Sequence, residues 1–226
     1  MLQSVRKGFG FRQTMTVGNT PATGGQSEFQ IQTAPGKSTF KGDPVNIQSA
    51  GNQGFLQNAA QATMDDGVTG GKAWANNAGA TGGIAGVFNG AFYIDSTGKP
   101  TFANSVVAGV TTSKDYNTGS DNIIAFANTN PAQEYTVRLN AALAGSAAAA
   151  QALLNSSNFF NPIDEVDGDA IDGLSRITLS VATNGASATN GMFRLVRNAN
   201  IEEQDDLLTA GAQVVVVIQP ASALYN

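Results

Sequence analysis

The stretch DEVDGDAIDG, residues 164–173, contains five carboxylates and two glycines within ten residues. Such a cluster is typical of a calcium loop, of a pair of catalytic acids, or of a solvated acidic turn. A regular calcium-binding loop needs acidic or amide side chains at its first, third and fifth positions. A loop that starts at Asp167 has Ile171 fifth, and one that starts at Asp169 has Ile171 third, so neither fits. An irregular metal site formed by Asp167, Asp169 and Asp172 stays open.

Catalysis by two of these acids is a weaker interpretation. Glycosidases that use paired carboxylates line their clefts with aromatic side chains, and this chain has one Trp and four Tyr. The chain also has no Cys and no His, which removes the strongest nucleophile and the commonest general base. Only Ser-Lys or Thr arrangements remain, and no local signature indicates one. We therefore expect a protein that is not an enzyme, with a solvated acidic turn that leads into a strand at Arg176.

Two glycine-rich segments resemble nucleotide-binding loops without matching them. APGKST, residues 34–39, ends like a phosphate-binding loop, but Ile31 stands where that motif requires glycine, and no helix is expected after it. GATGGIAG, residues 79–86, lacks the spacing of the dinucleotide-binding motif. We expect a Pro-Gly turn in the first segment, a flexible approach to a hairpin in the second, and no cofactor.

The charge of the chain is unevenly distributed. Charged residues make up only 13% of the sequence, and the net charge is −5. Residues 1–42 carry a balance of +4 and residues 43–226 a balance of −9. The negative total disfavours nucleic acid as the partner. The basic start predicts an extended N-terminal arm, residues 1–27, that reaches an acidic neighbour, although a frayed terminus would have the same composition.

Short alternating patterns separated by turn residues predict an all-β protein. The turn DSTGKP, residues 95–100, joins the clearest hairpin. One Ala-rich stretch, 141–155, has good helix propensity. Residues 49–83 look irregular and predict a long Gly/Asn-rich loop with a short helix at 56–63. The expected fold is a single domain, residues 28–226, formed by an antiparallel β-barrel or sandwich of about 8–10 short strands. Its expected strands lie on both sides of the turn in the hairpin 84–110 and at 28–33, 42–48, 122–128, 134–140, 176–182, 192–198 and 212–220.

The run QVVVVIQP, residues 213–220, is apolar on both faces of the expected strand. Both faces must then be covered, one by the core and the other by a second sheet or another subunit. Val214 and Val216 are for that reason candidate interface residues. The run is far too short to span a bilayer, and the basic start lacks the apolar segment of a signal peptide. We accordingly expect no membrane partner.

Several segments together resemble the capsid decoration, or cement, proteins of tailed bacteriophages. The similarity extends over most of residues 8–218, and its motifs are patterns of strands and turns. The Ala-rich stretch 141–154 and the acidic stretch depart from it. The segments that carry the resemblance are GFGFRQTM, FKGDPVNIQ, GVFNGAFYIDSTGKPTFANSVVAG, NPAQEYTVRLNA, FRLVRNANIEEQDD and the closing Val-rich strand.

The resemblance implies a β-rich structural protein, often a homotrimer, on the outer surface of an icosahedral head. Its partner would be the major capsid protein, and the virion would be assembled in the host cytoplasm. The predicted arm would then contact the capsid or a neighbouring subunit. The candidate contact residues of the arm are Arg6, Lys7, Phe9, Phe11 and Arg12.

Three other interpretations remain open. One is a different virion component, such as a head-fibre base, a tail-tube protein or a minor shell subunit. The second is a secreted carbohydrate-binding β-sandwich with a calcium site, which would need a signal sequence and exposed aromatic residues. The third is an enzyme, against which the lack of His and Cys counts.

Overall fold

In a computed structural model, the described residues form two six-stranded antiparallel sheets and two smaller ones. This confirms the predicted all-β class. The structure describes residues 8–17, 20–21, 25–31, 35, 38–47, 55–58, 72–73, 84–112, 123–154, 159–164, 168–181, 192–201 and 205–218.

Within these residues there are seventeen strands and one helix, and nine of the strands are at least four residues long. The first half of the chain contains β1 (Arg12–Thr16), β2 (Thr20–Pro21), β3 (Gln26–Ile31), β4 (Thr39–Phe40), β5 (Pro44–Ile47), β6 (Leu56–Asn58), β7 (Lys72–Ala73), β8 (Ile84–Ile94), β9 (Pro100–Ala103) and β10 (Ser105–Val106). The second half contains β11 (Ile123–Asn128), β12 (Gln133–Arg138), α1 (Ala147–Leu153), β13 (Phe159–Phe160), β14 (Pro162–Asp164), β15 (Thr178–Leu179), β16 (Phe193–Asn198) and β17 (Gln213–Ile218). The first large sheet has the strand order β13-β16-β17-β12-β1-β2, and the second has the order β3-β11-β8-β5-β6 with β9 also paired to β8.

Strand β8 connects two hydrophobic core clusters of the described residues. Val87 belongs to the cluster on the first sheet, which also contains Tyr135 and Phe193. Phe88 belongs to the cluster on the second sheet, together with Ile123. Consecutive residues of a strand point to opposite faces, so β8 contributes to both cores at once. The eleven residues of β8 pair with β5, β9 and β11.

The hairpin between β8 and β9 has the turn that its sequence predicts. The Asp95 carboxylate accepts hydrogen bonds from the Thr97 hydroxyl (2.6 Å), the Thr97 N–H (2.9 Å) and the Lys99 N–H (3.0 Å). These bonds, led by the one from the Thr97 side chain, lower the pKa of Asp95. The Gly98 backbone has φ of 86°, a conformation that favours glycine.

The prediction of an extended N-terminal arm is wrong where this segment forms part of the first sheet. Residues 12–16 form β1, which pairs with β12 through Arg12 opposite Thr136. Phe9 and Phe11 are buried, at 7% and 2% exposure, so neither is an exposed anchor for a partner. Both residues are buried because their rings are apolar. The basic composition of the segment did not predict this burial. Arg6 and Lys7 lie outside the described residues.

Glycines make this burial possible. Gly8 passes so close to the backbone of Arg176 that a Cβ would lie 2.2 Å from its carbonyl oxygen. Gly10 has φ of 71°, and a Cβ there would lie 2.5 Å from the Cβ of Ser175. The Gly10 N–H donates to the Ile177 carbonyl (3.2 Å). In the segment GFGF, the two glycines are in close contact with neighbouring backbone, and the two phenylalanine rings are buried. The close contacts are possible only because the first and third residues have no Cβ.

The helix and two other elements differ from their predicted extents. Helix α1 occupies only part of the Ala-rich stretch 141–155, because Ser146 caps its start by accepting from the Ala149 N–H (3.3 Å). Residues 56–58 form β6 and pair with β5, so the helix predicted at 56–63 is wrong there. The remainder of that prediction, like most of the predicted loop 49–83, lies outside the described residues. The strand predicted at 176–182 is reduced to β15.

Candidate functional site

The acidic turn, residues 168–174, holds its carboxylates around an arginine of its own chain. Arg176 Nη2 lies 2.7 Å from Asp172 Oδ2 and 3.2 Å from Asp169 Oδ2. The other oxygen of each carboxylate accepts a backbone N–H, from Leu174 (2.8 Å) for Asp172 and from Ile171 (2.9 Å) for Asp169. The guanidinium therefore stands where a cation would be bound.

The irregular metal site proposed from the sequence is thus only partly described. Asp167 lies outside the described residues, so its place relative to Asp169 and Asp172 is not defined. Among the residues that are described, no group of three or more acidic side chains could hold a metal ion. Arg176 also donates to the Gly8 carbonyl (3.5 Å), which connects the turn to the N-terminal segment.

Val214 and Val216 are both fully buried, and they belong to the core of their own chain. Val215 and Val217, on the other face of β17, are also buried, at 3% and 4% exposure. The chain itself therefore covers both faces of this strand, and the prediction that Val214 and Val216 lie at an interface is wrong. Burial of each valine contributes about 1.5–3 kcal/mol, an upper estimate because unfolded chains are partly collapsed.

A cavity of about 350 Å³ lies where the N-terminal segment crosses between the two large sheets. We call it the inter-sheet cavity. Its lining combines apolar rings, three amides and two cationic side chains, and no described lining residue is acidic. The lining residues are Phe9, Phe11, Arg12, Gln13, Lys41, Gly42, Val87, Phe88, Asn89, Asn128, Tyr135 and Leu174.

The walls of the inter-sheet cavity are fixed by contacts behind them. Gln13 Nε2 donates to Gln133 Oε1 (3.0 Å), and Asn89 Nδ2 donates to Gln26 Oε1 (3.0 Å). The Tyr135 hydroxyl donates to the backbone carbonyl of Asn128 (3.4 Å). Burial raises the pKa of Tyr135, because the phenolate would be desolvated. The cavity is accordingly preformed, a property shared by many ligand sites.

The positive charge at the cavity comes from Arg12 and Lys41. The Arg12 guanidinium lies over the Phe9 ring, 4.3 Å from its centroid, and the Arg138 guanidinium lies 5.1 Å from the same centroid. Such cation–π contacts restrict a long side chain without neutralising it. Neither Arg12 nor Lys41 forms an ion pair with any carboxylate of the described residues.

A second surface lies on the second sheet, and we call it the outer face. Phe102 on β9 stands opposite Phe92 on β8, and Phe92 stands opposite Ile124 on β11. The Phe92 and Phe102 rings are 4.6 Å apart between centroids. Phe102 is 79% exposed and Ile124 is 38% exposed. The half-buried Phe126 extends this row, so apolar side chains cover three neighbouring strands on a side facing solvent.

A β-bulge in β8 produces the outer face. The register between β8 and β11 shifts between Phe88 and Gly90, and Gly90 has φ of 139°. Phe88 and Ala91, three residues apart, therefore both face the second core cluster. Because the inserted residue reverses the alternation, Phe92 points away from that cluster. The alternation pattern of the sequence does not predict this surface, although a glycine inside a strand, as in FNGAF, is a signal for a bulge.

Comparison with family models, with curated proteins and with solved structures finds no match to this chain. Within the described part of the chain, no helix is long and apolar enough to cross a membrane.

Proposed function

We propose that the chain is a structural protein of a bacteriophage virion that binds the outside of an assembled capsid and clamps neighbouring capsomers. It acts as a homotrimer, its partner is the major capsid protein, and it binds no nucleic acid. The resemblance of its strand-and-turn segments to decoration proteins supports this function. The observation that carries it is the outer face, because contiguous exposed apolar surface of this kind marks association sites.

The outer face suits a contact that forms only on an assembled shell. Phe102 and Phe92 are in contact across neighbouring strands, with their ring planes tilted by 43°, so the ring that a partner would cover is already supported by its own sheet. Rigid aromatic groups lose little conformational entropy on binding and are enriched at interface hot spots. A protein that binds the assembled shell and not its free subunits stabilises that shell by mass action. The repeated geometry of an icosahedral head adds avidity to each modest contact.

The test is the location and number of copies of the chain on phage particles. Purified heads of the phage that encodes the chain are expected to contain it in a fixed ratio to the major capsid protein, measured by quantitative mass spectrometry. Electron cryomicroscopy is expected to show it on the outer surface between capsomers. A location in the tail, in a fibre or inside the shell, or its absence from particles, would overturn the proposal.

Two substitutions test the role of the outer face. Phe102→Ser is expected to leave the melting temperature unchanged. When the variant is added to purified heads that lack the protein, it is expected to occupy fewer sites than the unmodified protein does. Ile171→Ser is the matched control, because Ile171 is 98% exposed and lies on the acidic turn. Its occupancy is expected to equal that of the unmodified protein. Equal occupancy for both variants would show that the outer face does not bind the shell.

A further inference from the structure

Two cations without an ionic partner among the described residues line the same cavity. Arg12 is exposed and Lys41 is half-buried, and both are lining residues of the inter-sheet cavity. Neither forms an ion pair with a described carboxylate. Like charges that share a small volume repel each other, and a bound anion removes that repulsion. The cavity therefore has the electrostatic character of an anion site.

Backbone contacts hold the two cations near each other. The Phe11 N–H donates to the Gly42 carbonyl (2.9 Å). Arg12 follows the first residue of this bonded pair, and Lys41 precedes the second. The Lys41 N–H also donates to the carbonyls of Asn104 (2.8 Å) and Gly173 (3.0 Å). The positions of the two cationic residues are thus set by main-chain hydrogen bonds before any ligand binds.

A ligand of this cavity must be small and polar. The rings of Phe11, Phe88 and Tyr135 are only 2%, 1% and 0% exposed, so the apolar floor is closed to a ligand. The polar lining residues that a ligand can reach are exposed or half-buried, and we call them the rim: Arg12, Gln13, Lys41 and Asn89. A volume of about 350 Å³ holds a small ion together with several waters, each of which takes up about 30 Å³.

Amide groups add hydrogen-bond donors to this cavity. A primary amide has two N–H donors. Gln13 and Asn89 each use one of them in a hydrogen bond to a neighbouring glutamine and keep the other. Asn128 is 4% exposed, its Oδ1 accepts the Asn130 N–H (3.2 Å), and no described residue accepts from its Nδ2. An amide that is largely buried without an acceptor costs free energy, and an oxyanion in the cavity supplies that acceptor.

The carboxylates closest to the cavity in sequence have other contacts. Asp43 is 2% exposed, and its Oδ2 accepts the Phe40 N–H (2.8 Å). Asp169 and Asp172 belong to the acidic turn, which reaches the cavity through Leu174, but both contact the Arg176 guanidinium. None of the three lines the cavity. The positive charge of the rim is therefore not neutralised from within the described lining.

Two cations and several N–H donors favour a phosphate group over a carboxylate. A phosphate monoester carries a charge of about −1.5 to −2 at pH 7 and has three strongly accepting oxygens. A carboxylate carries one charge on two oxygens. Arginine binds phosphate through two parallel hydrogen bonds, and lysine binds it as a compact point charge. The rim contains one residue of each kind.

We propose that the inter-sheet cavity binds a phosphate group at its rim, between Arg12 and Lys41. The amides that line the cavity donate to the remaining oxygens. The bound group connects β1 to the turn between β4 and β5, so it stabilises the folded chain by mass action. This inference does not depend on binding to a capsid or on self-association.

The test is isothermal titration calorimetry of the purified protein with inorganic phosphate in a chloride buffer. Saturable binding at one site is expected. The variant with Arg12→Gln and Lys41→Gln is expected to bind at least about tenfold more weakly. Lys99→Gln, on the exposed hairpin turn, is the matched control and should keep the affinity of the unmodified protein. No saturable binding, or equal affinity in the double variant, would overturn the proposal.

Thermal unfolding gives a second measurement. Phosphate is expected to raise the melting temperature more than chloride at the same ionic strength. Phosphate also stabilises proteins in general because it is excluded from their surfaces, and that effect does not need the two cations. An equal rise in the double variant would therefore overturn the proposal. Should the double variant fail to fold, Arg12→Gln alone changes an exposed side chain and is expected to show a smaller loss of affinity in the same titration.

Three other ligands identify the source of the phosphate group. If glycerol 2-phosphate binds as well as inorganic phosphate, the ligand is a phosphate ester of a larger molecule; if only inorganic phosphate binds, the ligand is the free ion. Both results agree with the proposal. Succinate is expected to bind at least about tenfold more weakly, and equal binding would overturn the choice of phosphate. A short single-stranded oligonucleotide that binds more tightly than either phosphate would overturn the proposal in favour of a nucleic-acid backbone.

Discussion

The ring of Phe11 lies face to face with the ring of Phe193, with centroids 4.2 Å apart and planes inclined by 19°. Phe11 also meets Tyr135 edge-on at 6.4 Å. The N-terminal segment thus completes the core of the first sheet, since these rings come from three separate parts of the chain. A segment whose composition resembles a flexible arm is in fact structural.

Substitution of this ring should be costly. Phe11→Ala is expected to lower the free energy of unfolding by about 3–5 kcal/mol, through the lost transfer energy and the cavity it leaves. Urea denaturation measures this change. Phe102→Ala is the matched control, because Phe102 is 79% exposed and its truncation should cost less than about 0.5 kcal/mol. Similar losses for the two variants would contradict the assignment of Phe11 to the core.

Deletion of residues 1–14 should unfold the first sheet, because it removes Phe11 together with most of β1. The truncated chain is expected to lose its cooperative thermal transition, as followed by circular dichroism. A truncated protein that melts at the temperature of the full chain would show that this segment is dispensable for the fold.

The sequence predicted the local elements well because their signals are local. The turn 95–100 contains the Asp, Gly and Pro that turns require, and alternation located β3, β11, β12 and β16 to within a few residues. Pro44 begins β5, as its missing N–H leads one to expect. These outcomes depend on residues only a few positions apart.

The sequence could not predict contacts between distant segments. GFGF resembles a mobile terminus because glycine and positive charge are common in such segments, and its partner strand lies more than a hundred residues away. The inter-sheet cavity is formed by six separate stretches of the chain, so no motif marks it. The pairing of Asp169 and Asp172 with Arg176 was easier to predict from the sequence, because Arg176 follows Asp172 by only four residues.

The acidic turn should depend on Arg176 and not on a metal. Arg176→Gln is expected to lower the free energy of unfolding by about 1–2 kcal/mol, because two neighbouring carboxylates lose a shared, largely buried cation. Lys99→Gln, at an exposed turn, should have little effect in the same urea titration.

Calcium and a chelator should both leave the melting temperature of the unmodified protein unchanged, because the guanidinium already lies between Asp169 and Asp172. Differential scanning calorimetry with millimolar calcium and with excess chelator measures this directly. A rise in melting temperature with calcium would show that a cation site exists in this turn.

Glu134 provides a test of buried charge. It is 4% exposed, and its Oε2 lies 2.7 Å from Arg197 Nη2 on β16. Arg197→Ala leaves this carboxylate buried without its cation, and a loss of about 1–3 kcal/mol is expected, reduced by the 41% exposure of the arginine side chain. The double variant with Glu134→Gln and Arg197→Ala should be more stable than Arg197→Ala alone. A double-mutant cycle from urea titrations measures the coupling, and additive losses would contradict it.

The buried hydroxyl of Tyr135 should make the fold sensitive to alkali. Burial raises the pKa of Tyr135 above its ordinary value near 10, so the unfolded chain loses this proton at a lower pH than the folded one. The stability contributed by the neutral hydroxyl is therefore fully present below about pH 10 and falls above it, by about 1.4 kcal/mol for each pH unit. Tyr135→Phe keeps the ring but has no proton to lose, so its stability should fall less steeply. The free energy of unfolding of both proteins, measured in urea between pH 8 and 11.5, tests this difference. Parallel curves above pH 10 would show that Tyr135 ionises as easily in the folded protein as in the unfolded chain.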